Sequence, residues 1–177
     1  ELKAALAKTS VQAQRAGGII RRIREFVKRS EPRRRPTPAA RIVEDAIAFA
    51  EIEAAKKRIA IVADIDPELP PVDADPILIE QVLLNLLKNA IDAMDDAVVP
   101  RIDVRVRRAG ESMAEFVVVD RGAGIAAEHL DSVFAPFFST KSDGMGMGLN
   151  ICRSIVEFHH GHLGVERNPE PAGGTVM

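Results

Sequence analysis

The chain has 177 residues, of which 46% are apolar and 28% charged, the balance of a soluble globular protein with room for one well-cored domain and an appendage. Its net charge of -2 gives no global electrostatic basis for nucleic-acid binding. The single cysteine, Cys152, excludes an internal disulfide and a multi-cysteine metal site, and no apolar run approaches the roughly 18 residues of a membrane span.

Residues 1–30 carry Leu2, Leu6, Thr9, Ala13, Ala16, Ile20, Ile23 and Val27, spacings that alternate four and three as the a and d positions of a heptad do. One long helix is predicted, packing in a bundle or coiled coil, with Gly17-Gly18 weakening it locally. Pro32, Pro36 and Pro38 then forbid a continuing helix, so 31–38 reads as a linker and the domain boundary. Val43, Ala46, Ile47 and Ala50 share a helix face, and Pro38 is placed just inside that helix. Residues 58–66 alternate as a strand does. Asp75-Pro76 reads as an N-cap followed by Pro at the first helical position, opening a helix to about Asp95. Strands are expected over 101–108, 115–119, 162–167 and 174–177, the last truncated, with a long loop over 121–147 and a helix over 149–158. Helices and strands mix without regular βαβ alternation, so the class is α+β. Cys152 falls in the last helix as a small buried residue.

Four segments carry chemistry. Asn85, Asn89 and Asp92 share one helical face at i, i+4 and i+7. A solvated face is the alternative, but Asn disfavours helix interiors, and its neutral carbonyl oxygen suits Mg²⁺, which bridges phosphates. Asp120-Arg121-Gly122-Ala123-Gly124-Ile125 follows an apolar strand. There a carboxylate could take an N–H from a flat base that approaches the glycine backbone, although Asp and Gly are also ordinary turn residues. Gly144-Met145-Gly146-Met147-Gly148-Leu149 opens a helix, and closely spaced amides at a helix N-terminus favour anions; a flexible turn is the other reading. Phe134-Ala135-Pro136-Phe137-Phe138-Ser139-Thr140-Lys141 places costly aromatics where they would pin a mobile lid, with Thr140 and Lys141 reaching a phosphate or, for Lys141, simply solvated.

In this order the segments resemble the N, G1, F and G2 boxes of histidine protein kinases, and Gly173-Gly174-Thr175 resembles the G3 box. The resemblance covers about residues 38–177, and "FAPFFSTK…GMGMGLNI" is most similar to kinases of the nitrogen-regulation, oxygen-sensing and dicarboxylate-sensing group. It implies the Bergerat ATP-binding fold: a two-layer α/β sandwich in which helices cover one face of a mixed sheet, over 39–177. Residues 1–30 resemble the second helix of the dimerisation and phosphotransfer hairpin, which implies a homodimer in the full-length protein. The resemblance further implies ATP and Mg²⁺ as cofactors. Asn89 would hold Mg²⁺, Asn85 would support the phosphate end, and Asp120 would recognise the adenine amino group with Thr175 helping through water. Lys88, Asp92, Gly122, Gly124, Ile125, Thr140, Lys141, Gly144, Met145, Gly146, Met147, Gly148 and Leu149 would complete the ATP pocket and lid. A response-regulator receiver domain is the implied partner. No nucleic acid and no membrane contact are expected for this segment. Its expected location is cytoplasmic; a membrane anchor in a longer parent is a separate question.

Hydrolytic relatives of this fold carry a Glu one turn before the Asn, to activate water. Here that position is Asn85, which has no useful basicity. Phosphoryl transfer depends mainly on positioning and charge stabilisation, so the nucleophile is expected from outside the pocket. In the family it is a His followed by an acid and a downstream Pro. His129, His159, His160 and His162 lack that context, and the chain is not expected to phosphorylate itself. Two alternatives remain at this stage: a protein-serine kinase of the anti-sigma-factor type, and a degenerate nucleotide-sensing module.

Overall fold

The computed structural model describes residues 33–95, 97–141, 144, 146–170 and 173–177. The helix expected over 1–30 and the first residues of the expected linker lie outside them. Arg34–Met177 forms one compact unit. In chain order it contains β1 (Arg35–Thr37), α1 (Ala39–Lys56), β2 (Ala60–Ile65), β3 (Val72–Ala74), α2 (Pro76–Ala93), β4 (Arg101–Ala109), β5 (Met113–Val119), a 3₁₀ turn (Ala127–His129), α3 (Gly148–Phe158), β6 (Glu166–Arg167) and β7 (Thr175–Val176).

Five strands make one mixed sheet in the order β2-β4-β5-β7-β6. β2 runs parallel to β4, and the remaining neighbours are antiparallel. Period two sorts β4 onto two faces. Ile102, Val104 and Val106 are fully buried in the core shared with α1 and α2. Asp103, Arg105 and Arg107 point the other way, where Arg107 pairs with Asp64 of β2. Helices therefore cover one face and charged side chains line the other, the two-layer sandwich expected from the sequence.

Each helix follows from its stripe. α1 buries Ile42, Val43, Ala46, Ala50 and Ala54, spaced to keep one face inward. Pro38 is its N-cap rather than a residue of the first turn. α2 buries Leu78, Val82, Leu83, Leu86, Leu87, Ala90 and Ile91. Its start is fixed by Asp75, whose Oδ1 accepts from the amides of Ile77 (3.0 Å) and Leu78 (3.3 Å), with Pro76 in the first turn. At its other end Lys57 donates to the Ile91 carbonyl and pairs with Asp95, a cation where the helix dipole favours one. Cys152 is buried, and burial pushes its thiol up to about 12, an inert core group as expected.

Two local elements differ from the expectation. Residues 35–37, read as linker, form β1 because they pair antiparallel with Val72–Ala74; that partner is distant in sequence and Pro36 masks the strand signal. Of the strand expected over 162–167 only Glu166–Arg167 joins the sheet, although Leu163 is buried. Residues 174–177 do add to the sheet: β7 pairs with β5 and β6, and Met177 exchanges backbone hydrogen bonds with Val118.

Candidate functional site

The site is assembled from one face of α2, the turn after β5, the start of β7 and the start of α3. Asn85 and Asn89 lie half-buried on α2, and the Nδ2 of Asn89 donates to the Oδ1 of Asn85 at 3.2 Å. Asp92 follows one turn on and receives the Lys141 ammonium at 2.7 Å. The three residues expected on one face are thus joined to each other or to the lid segment, whereas Lys88 is exposed.

α3 begins directly against this line. A Cβ on Gly148 would lie 2.7 Å from Asn85 Oδ1, so any side chain here would displace the Asn85 amide. The N-cap of α3 is buried Met147, which offers no side-chain hydrogen bond. Asp75 caps α2, so the two helices differ in kind: the leading amides of α3 have no side-chain acceptor among the described residues, and uncapped amides at a helix N-terminus favour an anion. Leu149 packs against the core.

At the other side Asp120 ends β5 with its side chain buried. Its Oδ1 accepts from the amides of Gly122 (2.9 Å) and Thr175 (3.2 Å). Burial pushes the Asp120 carboxyl above the usual carboxylate range, against the hydrogen bonds from Gly122 and Thr175. Thr175 is itself buried. A Cβ on Gly122 would meet the Ala93 carbonyl oxygen at 2.2 Å, so this glycine seats the turn on the end of α2. Gly124 has a positive φ of 71° and lies against Gly174, with Ile125 half-buried beside it.

The lid segment is divided. Phe134 packs against the core, its carbonyl accepts from Asn150 Nδ2, and Arg153 lies over its ring. Phe138 meets His129 edge to face at 5.3 Å. Phe137 is 66% exposed, so two of the three phenylalanines anchor the segment and the third does not. Gly144 lies against Ser139, and Gly146 against the backbone of Phe137 and Phe138. Thr140 is exposed; Met145 lies outside the described residues.

His159 has a structural task. Its Nδ1 faces the Ile155 carbonyl at 2.7 Å and its Nε2 accepts from the Asp75 amide at 3.0 Å, so the ring ties the end of α3 to the start of α2. A cavity of about 390 Å³ lined by Thr37, Pro38, Arg41, Ile42, Ile77 and Glu80, among others, sits at the starts of α1 and α2 and contains none of the candidate residues.

Sequence reasoning missed Asn168, Arg121, Asp103 and Glu170. Asn168 is buried, and its Nδ2 donates to the Asp120 carbonyl at 3.0 Å. Arg121 pairs with buried Asp103 at 2.7 Å and with Glu170 at 2.9 Å. An Asp at the third position of β4, between the apolar Ile102 and Val104, was the available signal, since Asp is depleted in strands.

A helix-covered mixed sheet, a buried acceptor at a strand end and an uncapped helix N-terminus beside it define a nucleotide-site α/β sandwich. The acceptor suits the amino group of a base and the amides suit phosphates. A family model described as histidine kinase-, DNA gyrase B- and HSP90-like ATPase matches residues 74–177, and the chain belongs to this ATP-binding family. The C4-dicarboxylate transport sensor protein DctS of Rhodobacter capsulatus is 44% identical over 180 residues, spanning 99% of this chain and 27% of that protein. The sensor protein FixL of Bradyrhizobium diazoefficiens is 38% identical over 177 residues, spanning 100% of this chain and 35% of that protein. The chain therefore corresponds to about a quarter to a third of these curated relatives. Among solved structures, the nucleotide-free catalytic domain of histidine kinase ThkA superposes with a TM-score of 0.66 at 28% identity, covering 81% of this chain and 91% of that one. ThkA in complex with response regulator protein TrrA superposes at 0.70 with 27% identity, covering 94% of this chain and 47% of that one. No helix among the described residues is long and apolar enough to cross a membrane.

Proposed function

We propose that the chain is the ATP–Mg²⁺-binding catalytic domain of a two-component sensor histidine kinase, which passes the γ-phosphate to a histidine outside these 177 residues. The observation that carries this reading is Asn85. It stands one turn before Asn89, against the first residue of α3, and it is hydrogen-bonded and uncharged. A hydrolase needs a base there to activate water; a kinase needs only a pocket that positions the phosphates.

Each residue then has a task. Asp120 accepts from the adenine amino group, with Thr175 beside it. The leading amides of α3, from Gly148 onward, receive the phosphates. Asn89 spends its Nδ2 on Asn85, which leaves Oδ1 as the neutral oxygen it offers to a cation. Mg²⁺ takes hard oxygen ligands, retains several waters and neutralises charge on the β- and γ-phosphates. Lys141 and Thr140 supply further contacts to the phosphates from the lid. The identity to DctS and FixL, both sensor proteins, supports the kinase reading over a serine kinase or a degenerate module. The complex of ThkA with TrrA supports a response-regulator receiver domain as the partner. Residues 1–30, as the second hairpin helix, would dimerise the full-length protein, and the domain would work in the cytoplasm.

Calorimetric titration with a non-hydrolysable ATP analogue tests the binding half of the reading: binding that strengthens with Mg²⁺ is expected, and no binding would sink it. Incubation with γ-labelled ATP tests the acceptor half. No acid-labile label is expected on this chain, because none of its four histidines is followed by the acid and downstream Pro of the family's acceptor, and the Nε2 lone pair of His159 is taken by the Asp75 amide. Stable acid-labile label would place the acceptor among these residues and refute that part.

A further inference from the structure

The loop that carries Gly173, Gly174 and Thr175 to Asp120 is held from two sides by residues to which the family resemblance gives no role, Asn168 and Arg121. On the core side, the Asn168 amide spans two strands of chain. Its Nδ2 donates to the Asp120 carbonyl at 3.0 Å, its Oδ1 accepts from the Glu170 amide at 3.1 Å, and its own backbone amide donates to Gly174. On the open face of the sheet, the Arg121 guanidinium joins Asp103 of β4 to Glu170 at 2.7 and 2.9 Å, while Arg101 takes the other oxygen of Asp103. Burial alone would raise the Asp103 carboxyl, but Arg121 and then Arg101 hold it below the usual range. The loop is pressed so closely on the turn that a Cβ on Gly174 would lie 2.1 Å from the Asp120 carbonyl oxygen.

A buried ion pair is a weak source of stability, because desolvation cancels much of its attraction. What it supplies is register. Arg121 and Asn168 act on the two neighbours of one carboxylate: Asn168 fixes the carbonyl of Asp120, and Arg121 fixes the next residue along. Both reach the same loop, which returns the Thr175 amide to Asp120 Oδ1. Rotation of Asp120 would break at least one of these bonds.

We infer that Asn168 and Arg121 are positioning residues that aim the Asp120 carboxylate at the exocyclic amino group of the bound base, and so set discrimination for adenine. The inference rests on the proposed role of Asp120 in base recognition. Neither residue touches the nucleotide; each acts through the backbone that carries Asp120.

The test compares the affinities of ATP and of purine riboside triphosphate, which differs only by lacking the amino group, for the wild type, Asn168→Ala and Arg121→Gln. In the wild type ATP should bind about 10- to 100-fold more tightly, the value of a hydrogen bond to a buried charged group. Asn168→Ala should lower that ratio about 5- to 10-fold, and Arg121→Gln a few-fold, while the affinity for purine riboside triphosphate stays within about two-fold. A merely structural role would lower the melting temperature and weaken both nucleotides in parallel, leaving the ratio unchanged; that result in both variants overturns the inference alone. Equal wild-type affinity for the two nucleotides overturns the Asp120 reading and the inference with it. If Asn168→Ala does not fold, Arg121→Gln decides, and unfolding of both assigns the pair to the fold and overturns the proposal.

Discussion

At the Asp120 end of the site the acceptor and the residues that bond to it, Thr175 and Asn168, are buried and tied into the sheet, whereas at the Asn85 end the groups are half-exposed and tied to each other or to the lid segment. Asp120 is 5% exposed and accepts two backbone amides. Lys141 and Asp92 keep 46% and 30% of their side chains in solvent. The difference matches what each end would bind under the proposed function. A base is flat and weakly polar, and a site selects it by a fixed acceptor in a dry setting, where an unmade hydrogen bond is costly. Phosphates are highly charged and mobile, and they can be met by amides and cations that rearrange. On that proposal a rigid end would choose the ligand and an adaptable end would handle the group to be transferred.

The comparison breaks most readily at the rigid end. Asp120→Asn keeps the shape but replaces an acceptor aimed at the base, so ATP affinity should fall about 100-fold. The same variant should not lose stability. An acid whose folded pKa is raised carries a penalty that is absent below its ordinary value and fully present above the raised one, so wild-type stability falls as pH rises through that window. Asn carries no such penalty. Its melting temperature should exceed the wild type by a margin that widens as the pH rises above the usual carboxylate range. A destabilised Asp120→Asn at neutral pH would mean that the hydrogen bonds outweigh burial, contrary to the direction found.

A smaller loss is expected at the adaptable end. Under the proposed function Asn89→Ala would remove one neutral oxygen from a cation that takes most of its ligands from water and phosphate. Titrated with Mg²⁺, the variant should bind an ATP analogue about 10-fold more weakly; without Mg²⁺ the two proteins should differ by less than about two-fold. An equal loss with and without Mg²⁺ would instead make Asn89 a structural support for Asn85.

The two ends were also unequally legible in the sequence. Period and punctuation sufficed for α2, because Asp75-Pro76 and a continuous stripe are local signals, and the Asn line on its face survives intact in the structure. Asp120 with its glycines was legible because the turn chemistry and the end of an apolar strand are adjacent in the chain. Asn168 was not: it meets Asp120 across 48 positions, and nothing local distinguishes a buried Asn from one in a loop. β1 was hidden for the same reason, since its pairing with Val72–Ala74 is non-local and Pro36 reads as a breaker. In the lid, composition placed three aromatics together but could not say which would pack. The backbone of Phe137, with a φ of 66°, turns that ring outward between two anchored neighbours.

The smallest effect concerns Lys141, and it separates a phosphate contact from a latch. Its pair with Asp92 is partly solvated, and such pairs are worth about 0.2–1 kcal/mol. The ammonium can therefore leave Asp92 for a phosphate at little cost. If it does so, Lys141→Ala should weaken a triphosphate about two- to five-fold, leave AMP unchanged and reduce the salt dependence of binding. Asp92→Asn should then cost nothing, because the pair is already broken in the complex. If Lys141 only holds the lid segment to α2, the two substitutions remove the same bond and their effects should match. Titrations of both variants with ATP analogue and with AMP, at low and at high salt, distinguish the two outcomes: unequal losses confined to the triphosphate place Lys141 on the phosphates, and equal losses place it on Asp92.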